Sequence, residues 1–122
     1  MAAILIADDE EMCRDSIQKV LEKEGYLVES AENVDGVLLK LPERKFDLVV
    51  CDYRMPGKTG VDLLRELKER SESVPVIVMS AFFDGATETR AMAMGAVDLI
   101  KKPIARRDLV DRTAKAIREA KA

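Results

Sequence analysis

FDLVVCDYRMPGKTG, residues 46–60, is the stretch whose reading decides the fold. Residues 46–51 form a nearly continuous apolar run that ends at Asp52. Pro56, Gly57 and Gly60 then punctuate a turn, and Val61, Leu64 and Leu67 follow at helical spacing. A strand apolar on both faces needs helices above and below it, as strands of a covered parallel sheet do. The segment therefore reads as strand, turn and helix, one unit of a βαβ succession.

The same alternation continues in both directions. Upstream, residues 2–7 make a short apolar run, and Asp8-Asp9-Glu10-Glu11 opens a helix with Cys13, Ile17, Val20 and Leu21 on one side and a stop at Gly25. YLVES (26–30) is mixed in polarity and suits an edge strand. A helix over 33–41 carries Val34, Val37, Leu38 and Leu41 and ends at Pro42. Downstream, residues 75–79 read as a buried strand and 96–100 as the last strand. A final helix over 106–120 carries Leu109, Val110, Thr113 and Ile117. The helix over 85–94 is the weakest: AMAM is its apolar end, but Thr87, Glu88, Thr89 and Arg90 fill its middle, so it should be the least firmly anchored. Five strands alternating with five helices predict one doubly wound α/β domain over residues 1–122.

Composition narrows the function. A hydrophobic content of 48% with 35% charged residues fits a globular domain and not a disordered chain. No apolar run approaches the roughly 20 residues of a membrane span, and the amino terminus lacks a secretory leader, so the expectation is a cytoplasmic protein with no membrane partner. A net charge of −3 argues against direct nucleic-acid binding, which needs clustered Lys and Arg. With no histidine and two cysteines, a zinc site is poorly supported and a Ser/His/Asp relay is excluded.

Polar residues sit where the apolar runs end: Asp8 and Asp9, Asp52, Ser80, and Lys101 with Lys102. Singly, each has an ordinary reading: acids starting a helix, a turn aspartate, a cap, a solvated lysine. Jointly they fall at the carboxyl ends of parallel strands, the edge where ligands bind in such sheets. Carboxylates, a hydroxyl and an ammonium gathered there suit phosphoryl chemistry with a hard metal ion. Successive strand residues face opposite ways, so only one of the two lysines should reach the site. Three converging acids without a metal should also raise at least one carboxyl pKa.

These residues resemble the receiver domain of bacterial two-component response regulators, the group that includes the chemotaxis receiver. The resemblance rests on the acid pair, the D-x-x-M-P-G-x-x-G segment Asp52 to Gly60, Ser80-Ala81 and Lys102-Pro103, and covers essentially the whole chain. It implies a flavodoxin-like sheet of order 2-1-3-4-5. It also implies that Asp52 accepts a phosphoryl group and that Mg²⁺ is held by Asp9, Asp52 and the backbone carbonyl of Arg54, with Asp8 acting through water. Lys102 and Ser80 would bind phosphoryl oxygens, small Ala81 would leave room for their entry, and the Lys102–Pro103 bond would be cis. Of the two lysines, the match favours Lys102.

The resemblance further implies a sensor histidine kinase or phosphotransfer protein as donor, and an output domain or protein partner as target. It implies a homodimer formed on phosphorylation. The switch would pass from Ser80 to the surface of helix four, strand five and helix five. The family's aromatic switch position is Leu99 here, so Leu99 would repack, or Phe82, Phe83 and the helix over 85–94 would carry the motion. Arg54 and Phe82 occupy positions that tune phosphoryl lifetime in the family. The resemblance describes a phosphoacceptor and not an enzyme with an external substrate. Two other functions compete. A haloacid-dehalogenase-type phosphohydrolase would want a D-x-D after the first strand, where this chain has Asp8-Asp9-Glu10. A degenerate receiver would bind protein without phosphorylation, but every site residue is present. A flavin site is weaker still, with no Trp and no hydroxyl-rich phosphate loop.

Overall fold

Each apolar run becomes a strand of a single parallel sheet in the computed structural model, which describes residues 1–122. β1 (Ala3–Ala7), β2 (Leu27–Ala31), β3 (Leu48–Asp52), β4 (Val76–Ser80) and β5 (Asp98–Lys101) lie in the order 2-1-3-4-5. All four strand pairings are parallel. Between and after them run α1 (Glu11–Lys23), α2 (Val34–Lys40), α3 (Gly60–Glu69), α4 (Gly85–Ala93) and α5 (Arg106–Lys121). This is the doubly wound, flavodoxin-like arrangement expected from the sequence.

Strand side chains alternate between faces, so the sheet builds two cores. Leu5, Val49 and Val78 face α2, α3 and α4, where they meet Val37, Leu63 and Ala91. Ile4, Ile6, Val50, Ile77 and Met79 face α1 and α5, where they meet Ile17, Leu21, Leu109 and Ile117. β1, β3 and β4 are buried throughout, as their continuous apolar runs require. β2 is mixed in burial and lies at one edge, as read from YLVES, and β5 forms the other edge.

Helix ends follow local chemistry. Asn33 caps α2 by accepting the Gly36 N–H, Asp84 caps α4 by accepting that of Thr87, and Thr59 and Asp62 form a reciprocal capping box on α3. α1 and α5 start without a side-chain cap, at Glu10 and Ala105. Gly25 ends α1 with a φ of +93°, a left-handed conformation that glycine adopts without a Cβ clash. α4 buries Ala91 alone, so the weakest apolar stripe is also the least anchored helix. No helix is long and apolar enough to cross a membrane.

Every strand is shifted by a residue or two from the sequence reading, most at the starts of β3 and β5. β3 begins at Leu48, because Asp47 turns its carboxylate to the Ala3 N–H at 2.8 Å and Phe46 precedes the ladder. β5 begins at Asp98 because Ala96 is still tied to the end of α4, its N–H donating to the Ala91 carbonyl.

Candidate functional site

A parallel sheet delivers every strand's carboxyl end to one edge. Asp8 lies just past β1, Asp52 ends β3, Ser80 ends β4 and Lys102 follows β5. They meet at a cleft of about 300 Å³ lined by Asp9, Glu10, Asp52, Arg54, Ser80, Ala81, Phe82 and Lys102. Lys102 Nζ donates to Asp8 Oδ2 at 2.9 Å and to Asp52 Oδ2 at 3.1 Å, joining residues 94 and 50 positions away in the chain. Lys101 is exposed, so the alternation of strand side chains selects one lysine, as expected. The Lys102–Pro103 bond is cis.

The two acids of the pair are unlike. Asp8 is wholly buried and supplied with donors: Lys102 on Oδ2, the Glu10 N–H on Oδ1 at 2.9 Å, and the Cys13 thiol nearby. Asp9 is exposed and faces the cleft. One carboxylate oxygen from each of Asp8, Asp9 and Asp52 lies within 4.8 Å of the others.

Their titration differs accordingly. Burial pushes the Asp52 carboxyl above its ordinary value, aided by the charges of Asp8 and Asp9 and opposed by Lys102. At Asp8 burial also works upward, but hydrogen bonds from Cys13, the Glu10 N–H and Lys102 outweigh it and hold the carboxyl below its ordinary value. The expected rise at one carboxyl is therefore present, at Asp52, with desolvation rather than mutual repulsion as its main cause. Burial would lower the Lys102 ammonium, yet its bond to Asp8 and the charge of Asp52 carry it well above its ordinary range. The Cys13 thiol is pushed up to about 11 by burial and by Asp8, so it stays protonated and able to donate.

Ser80 is 3% exposed and bonded within its own loop. Its hydroxyl accepts the Phe82 N–H and donates to the Phe82 carbonyl, both at 3.1 Å, and it bonds neither Lys102 nor Asp52. Phe82 and Phe83, grouped together in the sequence reading, separate here. Phe82 is 72% exposed at the cleft, whereas Phe83 is partly buried against the core under α2, α3 and α4, the same core that Leu99 packs against.

Gly60 lets α3 start against the site. A Cβ there would sit 3.3 Å from the Asp52 carbonyl oxygen and 3.3 Å from Tyr53 Cα. Three contributors escaped the sequence reading: Glu10, Cys13 and Arg14, whose guanidinium donates to the Asp8 carbonyl at 2.9 Å. Only the helical spacing of residues 10, 13 and 14, which brings them over the Asp8 turn, pointed to them.

Three oxygen-donor carboxylates, one exposed and one partly held by an ammonium, make a hard-cation donor set open on one side. Asp9, Asp52 and the Arg54 segment line its open side, while saturated Asp8 lies behind.

The profile described as "Response regulator receiver domain" matches residues 4–114. The chain is 33% identical over 117 residues to the transcriptional regulatory protein ResD of Bacillus subtilis, covering 96% of this chain and 48% of that protein. It is 39% identical over 115 residues to response regulator RR06 of Streptococcus pneumoniae, covering 94% and 52%. The chain thus spans about half the length of these curated relatives. Among solved structures, a response regulator receiver domain protein from Clostridium thermocellum superposes with a TM-score of 0.91 at 32% identity, covering 99% of this chain and 98% of that one.

Proposed function

Since the chain belongs to the response regulator receiver family, we propose that Asp52 accepts a phosphoryl group from a phosphohistidine of a sensor histidine kinase or phosphotransfer protein. An Asp52 carboxylate oxygen attacks phosphorus in line as the P–N bond breaks, and the electron pair returns to the donor imidazole. The single observation that carries this reading is the convergence of Lys102 Nζ on Asp8 and Asp52, at 2.9 and 3.1 Å, in a cleft whose three carboxylates lie within 4.8 Å.

The residues fit Mg²⁺, held by Asp9, Asp52 and the Arg54 backbone carbonyl, with Asp8 acting through water. Bound there, the ion supplies the positive charge that lets an anionic nucleophile meet an anionic phosphoryl group. The full hydrogen bonding of Asp8 supports its indirect role, since its oxygens are already engaged. Lys102 neutralises oxygens of the transferred group. Small, exposed Ala81 leaves the entrance open. The chain turns over no external substrate and catalyses its own phosphoryl transfer and slow self-dephosphorylation.

Phosphorylation adds about −1.5 to −2 charge at neutral pH. Ser80 can reach the new oxygens only by releasing the Phe82 backbone, which moves the loop leading into α4, the helix whose one buried residue is Ala91. Leu99, half-buried against the same core as Phe83, relays the change to the α4–β5–α5 surface. That surface controls an output domain or protein partner and forms a homodimer in the phosphorylated state. The relatives' names are those of transcriptional regulators, and this domain acts on such an output without itself touching nucleic acid, from the cytoplasm.

Intact mass after incubation with acetyl phosphate and Mg²⁺ tests the reading. The expected result is one added phosphoryl group, absent in Asp52→Asn and in chelator. No addition, under conditions that label another receiver, would favour a receiver that binds protein without phosphorylation.

A further inference from the structure

We propose that Arg14 is a positioning residue for the acidic pair, a role that rests on the metal-dependent phosphoacceptor reading above. The turn from β1 into α1 carries Asp8, Asp9 and Glu10, yet α1 lacks the side-chain cap that α2, α3 and α4 each have. Arg14 ties the turn down differently, as a donor reaching back from inside the helix rather than as a cap that accepts its first N–H groups. Its Nη1 reaches back to the Asp8 carbonyl at 2.9 Å, and its Nη2 faces Glu32 of the β2–α2 loop at 3.8 Å. The Arg14 side chain is only 13% exposed, whereas that of Glu32 is 76% exposed, so the ordered contact is the one to the backbone of Asp8. The Asp8 N–H donates to the Ala31 carbonyl, next to Glu32, so one guanidinium braces both loops at the point where they meet.

Asp9 itself is exposed, and the direction of its carboxylate is inherited from this turn. Arginine holds its donors in a rigid planar fork, so that one can stay on the Asp8 carbonyl while another faces Glu32, whereas lysine brings a point charge on a flexible stem. Arg14 therefore acts on the metal through the backbone, and its own charge, set against Glu32, is secondary.

Mn²⁺ binding to the folded protein, read from the electron paramagnetic resonance of the free ion, tests this with a readout other than phosphoryl acceptance. Arg14→Met should weaken binding about 10–100-fold, the usual cost of losing a residue that orients a metal ligand. Arg14→Lys should weaken it several-fold, and raising the ion concentration should restore acceptance on Asp52 in both. Unchanged affinity in a folded Arg14→Met variant overturns the proposal, as does tighter binding, which would make the charge of Arg14 its main effect. If Arg14→Met does not fold, unchanged affinity in Arg14→Lys overturns it. A wild-type chain that binds no Mn²⁺ removes the metal-site reading itself, a different result from a wild type that binds and a variant that binds equally well.

Discussion

Asp52→Asn should make the metal-free protein more stable. Asp52 is 7% exposed, with Lys102 at 3.1 Å and a carboxylate oxygen of Asp8 within 4.8 Å. At an effective dielectric of about 20 the attraction to Lys102 is about 5 kcal/mol and the repulsion from Asp8 at least about 3.5 kcal/mol. Asp9 adds a smaller, solvent-screened repulsion. What remains, less than about 2 kcal/mol of attraction, falls short of the several kcal/mol needed to desolvate a carboxylate. The upward displacement of the Asp52 carboxyl agrees, since burial is its leading cause. Asparagine removes the charge and leaves Lys102 its bond to Asp8. The expected gain is about 1–2 kcal/mol, or about 5 °C in Tm for a chain of this size.

The sign also follows with pH. A carboxyl whose folded pKa is raised contributes stability that is present below the unfolded value of about 3.8 and is lost as pH rises through the folded value. The advantage of Asp52→Asn should therefore open as pH rises through that window and close below it, where Asp52 is neutral in both states. Thermal unfolding in chelator across a pH series measures this, and excess Mg²⁺ should reverse the order by stabilising the wild type. A Tm in chelator no higher than wild type, or an advantage independent of pH, would refute the reasoning.

Three further outcomes are open to measurement. Thr113 is wholly buried and its hydroxyl has no hydrogen-bond partner, so Thr113→Val should stabilise the fold by about 1 kcal/mol in urea unfolding; equal or lower stability would mean the hydroxyl is satisfied. Gly60→Ala places a methyl 3.3 Å from two backbone atoms of the Asp52 turn, and should cost about 1–3 kcal/mol despite alanine's better helix propensity, with slower labelling by acetyl phosphate; a more stable variant would show that the turn yields freely. Amide exchange over residues 82–100 should speed or slow on phosphorylation, and identical protection in both states would exclude α4 and its entry loop as the moving part.

The fold was readable because it depends on patterns that local sequence carries. Residues 75–79 are apolar at every position and 46–51 at every position but Asp47, and runs this short, set between turns, are what strands covered on both faces use. The cleft was readable to the extent that topology alone assembles it: once β1, β3, β4 and β5 are parallel, Asp8, Asp52, Ser80 and Lys102 share an edge. What was not readable depended on where side chains turn. Nothing in the order of residues tells that Arg14 bends back to a carbonyl, that Cys13 donates to Asp8, or that Ser80 is engaged by its own loop. The late start of β5 was hidden because Ala96 and Val97 are as apolar as strand residues, while the hydrogen bond of Ala96 belongs to the end of α4.

The contact between Lys102 and Asp8 spans 94 residues and links strands that are not neighbours in the sheet. It exists only when β3 and β4 have filled the space between β1 and β5, so the counter-ion reaches the acids at the end of assembly. With its last strand detached, the chain would leave Asp8 and Asp52 without the Lys102 ammonium between them. If Asp52 accepts a phosphoryl group as proposed, its labelling should double as a report that β5 is docked and the whole sheet closed.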